Sequence, residues 1–315
     1  MATMNAIRAH RRGGPDVLVY EEAPMPAVGP NDLLLEVHAA AITFTELLWD
    51  ETWLRDGRSR IPIIPSHEVS GRVVEVGSNV VGRNKGDEVF GLIPFDRDGA
   101  AAEFALLPAD CAAHKPRTMD HPTASALPLA ALTAWQGLVD HAHITAGSNV
   151  LIHGAAGGVG QFAVQIAKLL GARVTATARG KDLPLVRSLA ADRTIDFENE
   201  RFDDEGRIYD VVLYSVPGAP DERSYQVLRE GGVLVTLNAP ADPVLTTEYN
   251  IRAAFFIVQA DAAEMEHLAE LVSEGALSVR VAARFPLEDA RRAYESAGDP
   301  QRKPGKTVLI VRAEA

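Results

Sequence analysis

The fold of this chain is decided by residues 149–170, which read NVLIHGAAGGVGQFAVQIAKLL. Asn149–His153 is a short apolar run typical of a buried strand, and Gln161–Leu170 has the periodicity of an amphipathic helix. Between them lies a turn of small residues, whose backbone can approach a diphosphate, and the following helix offers free N–H groups and the positive end of its dipole. We therefore predict a dinucleotide-binding turn formed by Gly154, Ala155, Ala156, Gly157, Gly158, Val159 and Gly160. A purely structural turn in another α/β protein is the alternative.

Strand and helix patterns continue to alternate after this turn, and the strands are almost continuously apolar. That alternation predicts a doubly wound parallel sheet with helices on both faces. The predicted elements are a strand Arg173–Ala178, a helix Leu183–Ala190, a strand Asp210–Tyr214, a helix Ser224–Arg229 and a strand Val233–Leu237.

The end of the second predicted strand indicates which dinucleotide is bound. NAD sites usually carry an acidic residue there, which bonds the ribose 2′-hydroxyl. Here the strand ends in Ala178 and is followed by Arg179 and Lys181, with Asp182 only after the lysine. Two basic side chains can bind a 2′-phosphate by charge-assisted hydrogen bonds, so we predict NADPH as the cofactor. A solvated basic loop is the alternative.

The two ends of the chain have a different character from the centre. The first third is rich in strand and turn signals, and it is followed by an Ala- and Leu-rich helical stretch. The predicted strands are Asp32–Ala39, Val69–Val76 and Val80–Val89, the helical stretch is Thr123–His141, and the tail contains helices Ala262–Glu274 and Leu287–Ser296 and a strand Thr307–Val311.

Composition excludes several classes of protein. The chain has 315 residues, enough for two domains, and its formal net charge of −12 argues against a nucleic-acid surface. The single cysteine, Cys111, excludes an internal disulfide and a zinc site built from several thiolates, and it fits a reducing compartment. Residues 1–12 contain no apolar run of signal-peptide length, and no stretch is long enough to cross a membrane. We therefore expect a cytoplasmic protein that binds neither nucleic acid nor membrane.

Several motifs outside the turn resemble one known family. They are Ile63–Gly77 (IIPSHEVSGRVVEVG), Gly86–Gly91 (GDEVFG), Leu132–Trp135 (LTAW), Phe285–Ala290 (FPLEDA) and Gly305–Leu309 (GKTVL). Together with Gly157-Gly158 they resemble the medium-chain dehydrogenase/reductase superfamily, in its quinone oxidoreductase (zeta-crystallin-like) branch. The resemblance implies an α/β fold with a GroES-like, partly open β-barrel catalytic domain built from residues 1–128 and 257–315. A Rossmann nucleotide domain, residues 129–256, is inserted between them.

The pair His67-Glu68 is similar to the metal-binding His-Glu of the family's alcohol dehydrogenases. The positions that match their two other ligands are Thr43 and Leu129, neither of which is a useful zinc ligand. A catalytic zinc needs three protein ligands, and the four-cysteine structural lobe is also missing. The sequence therefore predicts a zinc-free site.

The same resemblance implies the site residues. Thr43, Glu46 and His67 are expected to be catalytic, with Thr45, Trp49 and Trp53 lining the pocket of the acceptor. Thr133, Phe256 and Lys306 are assigned to the cofactor. Related enoyl reductases use a tyrosine as proton donor, but no tyrosine occurs between Tyr20 and Tyr209 here, which leaves His67, Glu46 or solvent.

These observations predict an NADPH-dependent oxidoreductase that transfers a hydride to a small hydrophobic enone, enoyl or quinone acceptor without zinc. A carbonyl or alcohol oxidoreductase of the same fold, and a catalytically silent NADPH-binding protein, are the alternatives. Family resemblance also implies a homodimer formed through edge strands, for which 233–237 and 253–258 are the candidate segments.

Overall fold

The computed structural model describes residues 2–313, which form two compact units. The catalytic unit contains the residues up to Leu129, Ala260–Gly275 and the residues from Val279 onward, and the nucleotide unit contains Ala130–Gln259 and Ala276–Ser278. The second boundary therefore lies three residues beyond the predicted one. The Gln136 side chain explains this, because it bonds both the N–H and the carbonyl of Gln259.

The catalytic unit is built mainly from antiparallel strands. They are β1 Thr3–Ala9, β2 Leu18–Pro24, β3 Asp32–Ile42, β4 Leu54–Arg55, β5 Arg58–Ser59, β6 Glu68–Val76, β7 Glu88–Leu92, β8 Phe104–Pro108, β9 Ala112–His114, β16 Val281–Pro286 and β17 Lys306–Ile310. The main sheet has the order β16-β17-β3-β6-β7-β9, with β8 paired to β3, and β1 pairs with β2 and β4 with β5.

The longest strand, β3, is the centre of this unit because it is hydrogen-bonded to three others. Its apolar residues are almost all buried and fill the core between the paired strands. The helices of this unit are α1 Asp50–Trp53, α2 His121–Ser125, α8 Ala262–Ser273 and α9 Ala290–Glu295. Helix α3, Pro128–Trp135, begins in the catalytic unit and continues into the nucleotide unit.

The nucleotide unit confirms the predicted doubly wound sheet. Its strands are β10 Asn149–His153, β11 Arg173–Ala178, β12 Arg193–Asp196, β13 Tyr209–Tyr214, β14 Leu228–Thr236 and β15 Arg252–Phe255, and its helices are α4 Gly158–Leu169, α5 Leu183–Ser188, α6 Glu222–Gln226 and α7 Pro243–Glu248. The six strands are all parallel and have the order β12-β11-β10-β13-β14-β15, which is the Rossmann order.

Four predicted elements differ clearly from the structure. The helical stretch 123–141 is divided, because Pro128 starts a new helix and Gln136–His141 is wound as a π-helix. Residues 80–87 form an irregular loop instead of a strand, and Gly82 and Gly86 both have positive φ. The strand predicted as Val233–Leu237 begins earlier, at Leu228, so the predicted helix 224–229 is shorter and ends at Gln226. No helix in residues 2–313 is long and apolar enough to cross a membrane.

Candidate active site

The turn after β10 requires two of its glycines for steric reasons. Gly154 has a φ of +74°, and a Cβ there would lie 2.8 Å from the Ser215 hydroxyl oxygen. A Cβ on Gly160 would lie 2.2 Å from the Gly154 carbonyl oxygen, so the first turn of α4 packs directly on the backbone before it. These glycines therefore allow a bend in which strand, turn and helix are nearly in contact.

The start of α4 fits an anionic ligand. Gly157 is its N-cap, no side chain caps the helix, and its first turn contains no acidic residue. Ala156 and the three residues that follow it are partly exposed. An uncapped helix start leaves N–H groups and a positive dipole end available to a diphosphate. This local geometry fits the diphosphate of a dinucleotide.

The tip of β11 is basic, as the sequence indicates, but an acidic side chain from the next strand lies close to it. Arg179 and Lys181 are both exposed. A Cβ on Gly180, between them, would lie 2.6 Å from an oxygen of Asp196, the last residue of β12. The Asp196 carboxylate already accepts hydrogen bonds from the Glu198 N–H and the Asn199 amide. Parallel pairing of β11 and β12 brings this acid to the tip, which the sequence of β11 alone does not reveal.

Two other residues assigned to the cofactor also lie in the nucleotide unit, but far from the glycine turn in the sequence. Thr133 is in α3 and is 7% exposed. Phe256 follows the edge strand β15, is half-buried, and packs against the His141 ring at 4.3 Å. Their roles remain predictions.

In the catalytic unit, strand pairing brings Lys306, Thr43 and Glu68 together. The register pairs Thr307 with Ile42, so Lys306 on β17 lies beside Thr43 at the end of β3, and Glu68 pairs with Ala41 from the other side. The buried Lys306 ammonium forms an ion pair with Glu68 and donates a 3.3 Å hydrogen bond to the Thr43 hydroxyl oxygen. The prediction that Lys306 binds the cofactor remains untested, and in this structure its charge faces these two residues.

The second oxygen of Glu68 accepts a 3.0 Å hydrogen bond from the Leu129 N–H, near the start of α3. Burial raises the pKa of the Glu68 carboxyl, while the neighbouring Lys306 charge and these hydrogen bonds lower it. Both carboxylate oxygens of Glu68 therefore have partners within the protein.

Glu46 is 1% exposed and is held by three hydrogen bonds. Its Oε1 accepts from the Thr43 N–H at 3.2 Å and from the Tyr294 hydroxyl at 2.6 Å, and its Oε2 accepts from the Ser66 N–H at 2.9 Å. Burial raises the pKa of Glu46 to about 7, although all three hydrogen bonds and Lys306 favour the charged form. Glu46 thus holds the backbone at Thr43 and at Ser66, the residue before His67.

His67 is 2% exposed, and its ring makes no hydrogen bond to another side chain within residues 2–313, although the backbone of Ile93 and Pro94 lies against it and favours its charged form. The nearest carboxylate is Glu46, whose Oε2 lies 4.0 Å from Nε2. Burial, and secondarily the positive charge of Arg60, lower the pKa of His67 to about 3, so the ring is neutral at physiological pH. A neutral, fully covered imidazole differs from the proton donor that the sequence suggested. Its nitrogens would reach an acceptor only after a rearrangement.

The two predicted pocket tryptophans occupy different environments. Trp53 is 1% exposed, belongs to the core, and donates its indole N–H to the Leu47 carbonyl at 2.9 Å. It has no face available to an acceptor. Trp49 is half-buried and packs edge-to-face on Phe95 at 5.2 Å, and Thr45 is likewise half-buried. Phe95 also contacts the His67 ring at 5.2 Å, so Trp49, Phe95 and His67 form one aromatic group.

The residues around His67 do not fit a zinc ion. Within residues 2–313, no group of three or more His, Cys, Asp or Glu side chains could hold a metal. Glu68 is paired with Lys306, Thr43 offers only a hydroxyl, and Leu129 offers no ligand atom.

Tyr294 is the site residue that sequence reasoning missed. It lies in α9, in the segment that returns to the catalytic unit, and is 2% exposed. The proton-donor tyrosine of related enoyl reductases was expected in the stretch between Tyr20 and Tyr209, which does not include Tyr294. Its position in the predicted tail helix, close to the FPLEDA motif, was the only hint in the sequence. The hydrogen bond between Tyr294 and Glu46 is visible only in the folded protein.

Comparisons with known proteins agree with this architecture. Residues 29–117 match the family model described as the alcohol dehydrogenase GroES-like domain, and residues 189–309 match the one described as zinc-binding dehydrogenase. A solved structure, the quinone oxidoreductase of Coxiella burnetii, superposes with a TM-score of 0.90 at 30% identity, covering 99% of this chain and 100% of that one.

Two curated plant proteins are also similar. The chloroplastic quinone-oxidoreductase QR1 of Triphysaria versicolor is 29% identical over 94% of this chain and 95% of its own length. The chloroplastic NADPH-dependent alkenal/one oxidoreductase of Arabidopsis thaliana is 36% identical over 73% of this chain and 61% of its own length.

A GroES-like unit with an inserted Rossmann unit and a glycine-rich turn after its first strand defines an oxidoreductase that uses a nicotinamide cofactor. The chain belongs to the medium-chain dehydrogenase/reductase superfamily, in its quinone oxidoreductase-like branch.

Proposed function

We propose that this protein is an NADPH-dependent oxidoreductase that reduces an activated C=C bond or a quinone without zinc. The observation that carries the proposal is the uncapped start of α4 behind a glycine turn, with Arg179 and Lys181 exposed at the tip of the next strand. The first feature suits a diphosphate, and the second suits a 2′-phosphate. The Asp196 carboxylate lies near the same tip and would oppose a 2′-phosphate, so the preference for NADPH over NADH has to be measured.

The acceptor class is supported by similarity and by the aromatic side chains near His67. The two plant relatives are named for quinones and for alkenals or enones. Trp49 and Phe95 are both partly exposed and pack edge-to-face against each other. Their aromatic surface suits a small, flat, hydrophobic acceptor. Trp53 is no longer part of this proposed pocket, because it is covered by the core.

Each residue of the site has a proposed role. When bound, the nicotinamide supplies the hydride. The backbone of Gly154–Gly160 holds the diphosphate, and the half-buried Thr43 hydroxyl stabilises negative charge that develops on the acceptor oxygen. Glu46 and His67 are both buried, and we assign them positioning roles. Glu46 accepts hydrogen bonds from the N–H groups of Thr43 and Ser66 and so holds the backbone next to Thr43 and His67.

The test is a comparison of acceptors. The protein is incubated with NADPH or NADH and with an enone, a quinone or a simple ketone, and oxidation is followed at the nicotinamide absorbance band. We expect oxidation of NADPH with the enone or the quinone. Turnover of the ketone alone would indicate a carbonyl oxidoreductase, and tight binding without any turnover would indicate a silent binding protein.

We further propose a cytoplasmic homodimer. Edge strand β15 exposes Phe255 and the following loop exposes Ile257, each nearly half accessible. Apolar side chains on an open strand edge suit pairing with a second copy. A Phe255→Glu variant that keeps the same sedimentation coefficient as the unaltered protein would contradict pairing at this edge. The single buried cysteine supports the compartment assignment, which cell fractionation tests.

A further inference from the structure

We propose that Asp196 is a specificity-determining residue of the cofactor site and lets the protein bind NADH as well as NADPH. Its carboxylate accepts a hydrogen bond from the ribose 2′-hydroxyl of NADH and repels the 2′-phosphate of NADPH. An acid at the end of the second strand usually has this role, and here the last residue of the third strand, β12, takes it. The inference rests on the proposed function and deepens it, because it concerns how the same site selects between two dinucleotides.

Strand pairing brings Asp196 to the tip of β11. The parallel register places Asp196 opposite Ala178, the last residue of β11. The turn that leaves β11 runs across the carboxylate, since a Cβ on Gly180 would lie 2.6 Å from Oδ2 of Asp196. The acid therefore lies directly against the residue that separates Arg179 from Lys181, where a 2′-hydroxyl or a 2′-phosphate is expected.

The Asp196 carboxylate keeps acceptor capacity for a ligand. An ionised carboxylate has about four lone-pair sites for hydrogen bonds. The Glu198 N–H donates to Oδ1 at 3.2 Å, and the Asn199 side-chain amide donates to Oδ2 at 2.8 Å. Both donors belong to the loop directly after β12, so they hold the carboxylate in place. Because Asp196 is also partly exposed, its remaining lone pairs can accept a ribose hydroxyl.

Charge separates the two cofactors at this position. Arg179 and Lys181 are exposed, so solvent and salt screen their attraction for a phosphate. The Glu200 carboxylate, which accepts a 3.3 Å hydrogen bond from the Asp196 N–H, adds a second negative charge close to that of Asp196. A bound 2′-phosphate is therefore repelled from one side while it is attracted from the other. A ribose hydroxyl is neutral, so it meets Asp196 only as a hydrogen-bond acceptor.

The experiment measures dissociation constants and needs neither an acceptor nor turnover. NADPH and NADH are titrated by calorimetry into the unaltered protein and into Asp196→Asn, which keeps the shape of the side chain and removes its charge. We expect the Kd for NADPH to fall roughly 5- to 10-fold, because a repulsion is relieved. The Kd for NADH should rise by a similar factor, because a hydrogen bond to a charged acceptor is lost. Asp196→Ser is a second variant and should shift both constants in the same directions.

Two further variants separate a direct effect of Asp196 from an indirect one. Glu198→Gln is the matched control for loss of one negative charge in the loop. Its side chain is exposed and its bond to Asp196 comes from the N–H, which the substitution keeps, so the Kd for NADH should stay the same. Asp196→Asn is also combined with Arg179→Ala and Lys181→Ala. If Asp196 repels the phosphate directly, the gain in NADPH affinity persists without the two basic side chains.

The outcomes distinguish this inference from the proposed function. Weaker binding of NADPH by Asp196→Asn would show that the acid holds the basic side chains in place, and an unchanged ratio of the two constants would show that it does not contact the ribose. Either result would overturn the inference and leave the proposed function standing. If the unaltered protein bound neither NADPH nor NADH, the proposed function itself would be wrong, and this inference with it.

Discussion

The Tyr294 hydroxyl donates a 2.6 Å hydrogen bond to Oε1 of Glu46, although 248 positions separate the two residues in sequence. Both side chains are buried, and the same carboxylate accepts the N–H groups of Thr43 and Ser66. The return segment of the chain therefore helps to fix the backbone at Thr43. Since burial raises the pKa of Glu46 to about 7, this carboxyl also links stability to pH.

The first prediction concerns that link. An unperturbed glutamate has a pKa of 4.5, whereas burial in the folded protein raises the pKa of Glu46 to about 7. Its contribution is therefore fully present below pH 4.5 and is lost as the pH rises through 7, by about 3 kcal/mol at most. Glu46→Gln cannot titrate, so its free energy of unfolding should fall less over this window than that of the unaltered protein. Urea unfolding at several pH values measures both slopes, and equal slopes would contradict the assignment.

A second prediction concerns the cofactor. Arg179→Ala combined with Lys181→Ala should raise the Kd for NADPH roughly 10- to 100-fold, because charge-assisted hydrogen bonds to the 2′-phosphate are lost. The Kd for NADH should change little. Arg173→Ala, at the opposite end of β11, is the matched control, and titration calorimetry gives the constants. Equal weakening of both cofactors would refute the 2′-phosphate assignment.

A third prediction separates the glycines of the turn. Gly157→Val should abolish cofactor binding, because a side chain at this position would block the approach of the diphosphate to the backbone. The chain should stay folded, because the added Cβ lies 3.1 Å from a single carbonyl oxygen and a small shift relieves this contact. Gly160→Val should prevent correct folding, because its Cβ would overlap the backbone of Gly154 and Ala155. Circular dichroism and NADPH titration distinguish the outcomes. Retained affinity in the Gly157 variant would count against the diphosphate site.

A fourth prediction contrasts the two tryptophans. Trp53→Ala removes a core side chain and should lower the free energy of unfolding by about 3–5 kcal/mol. Trp49→Ala should lower stability much less and raise KM for the acceptor by up to about tenfold, as expected when one aromatic contact is lost. Thermal unfolding and steady-state kinetics separate the two effects. If the Trp53 variant changed KM without losing stability, Trp53 would have to contact the acceptor, and its assignment to the core would be wrong.

The fifth prediction is that activity needs no zinc. Elemental analysis of the purified protein should find no stoichiometric zinc, and a chelator should leave the rate unchanged. The reason is the donor set, in which Glu68 is paired with Lys306 and, within residues 2–313, no metal-binding group includes His67. One zinc per chain together with loss of activity on chelation would show that this interpretation of Thr43 and Leu129 is wrong.

The architecture of the nucleotide unit could be predicted from the amino-acid sequence alone. The bounds of β10 and β11 follow from apolar runs and glycine punctuation, and the turn at Gly154–Gly160 follows from the order of strand, glycines and helix. These signals are local, because periodicity and φ freedom are properties of neighbouring residues. The GroES-like class followed from several motifs taken in order, and the family comparison confirms it.

The environment of the titratable side chains in the catalytic unit became visible only in the folded protein. Folding buried His67 and Trp53, brought Asp196 to the tip of β11, and joined Lys306 to Glu68 across 238 positions of sequence. Burial and pairing of this kind depend on which strands become neighbours, and no local pattern contains that information. A titratable side chain takes its charge from this environment, so its role follows from the fold and not from its residue type alone.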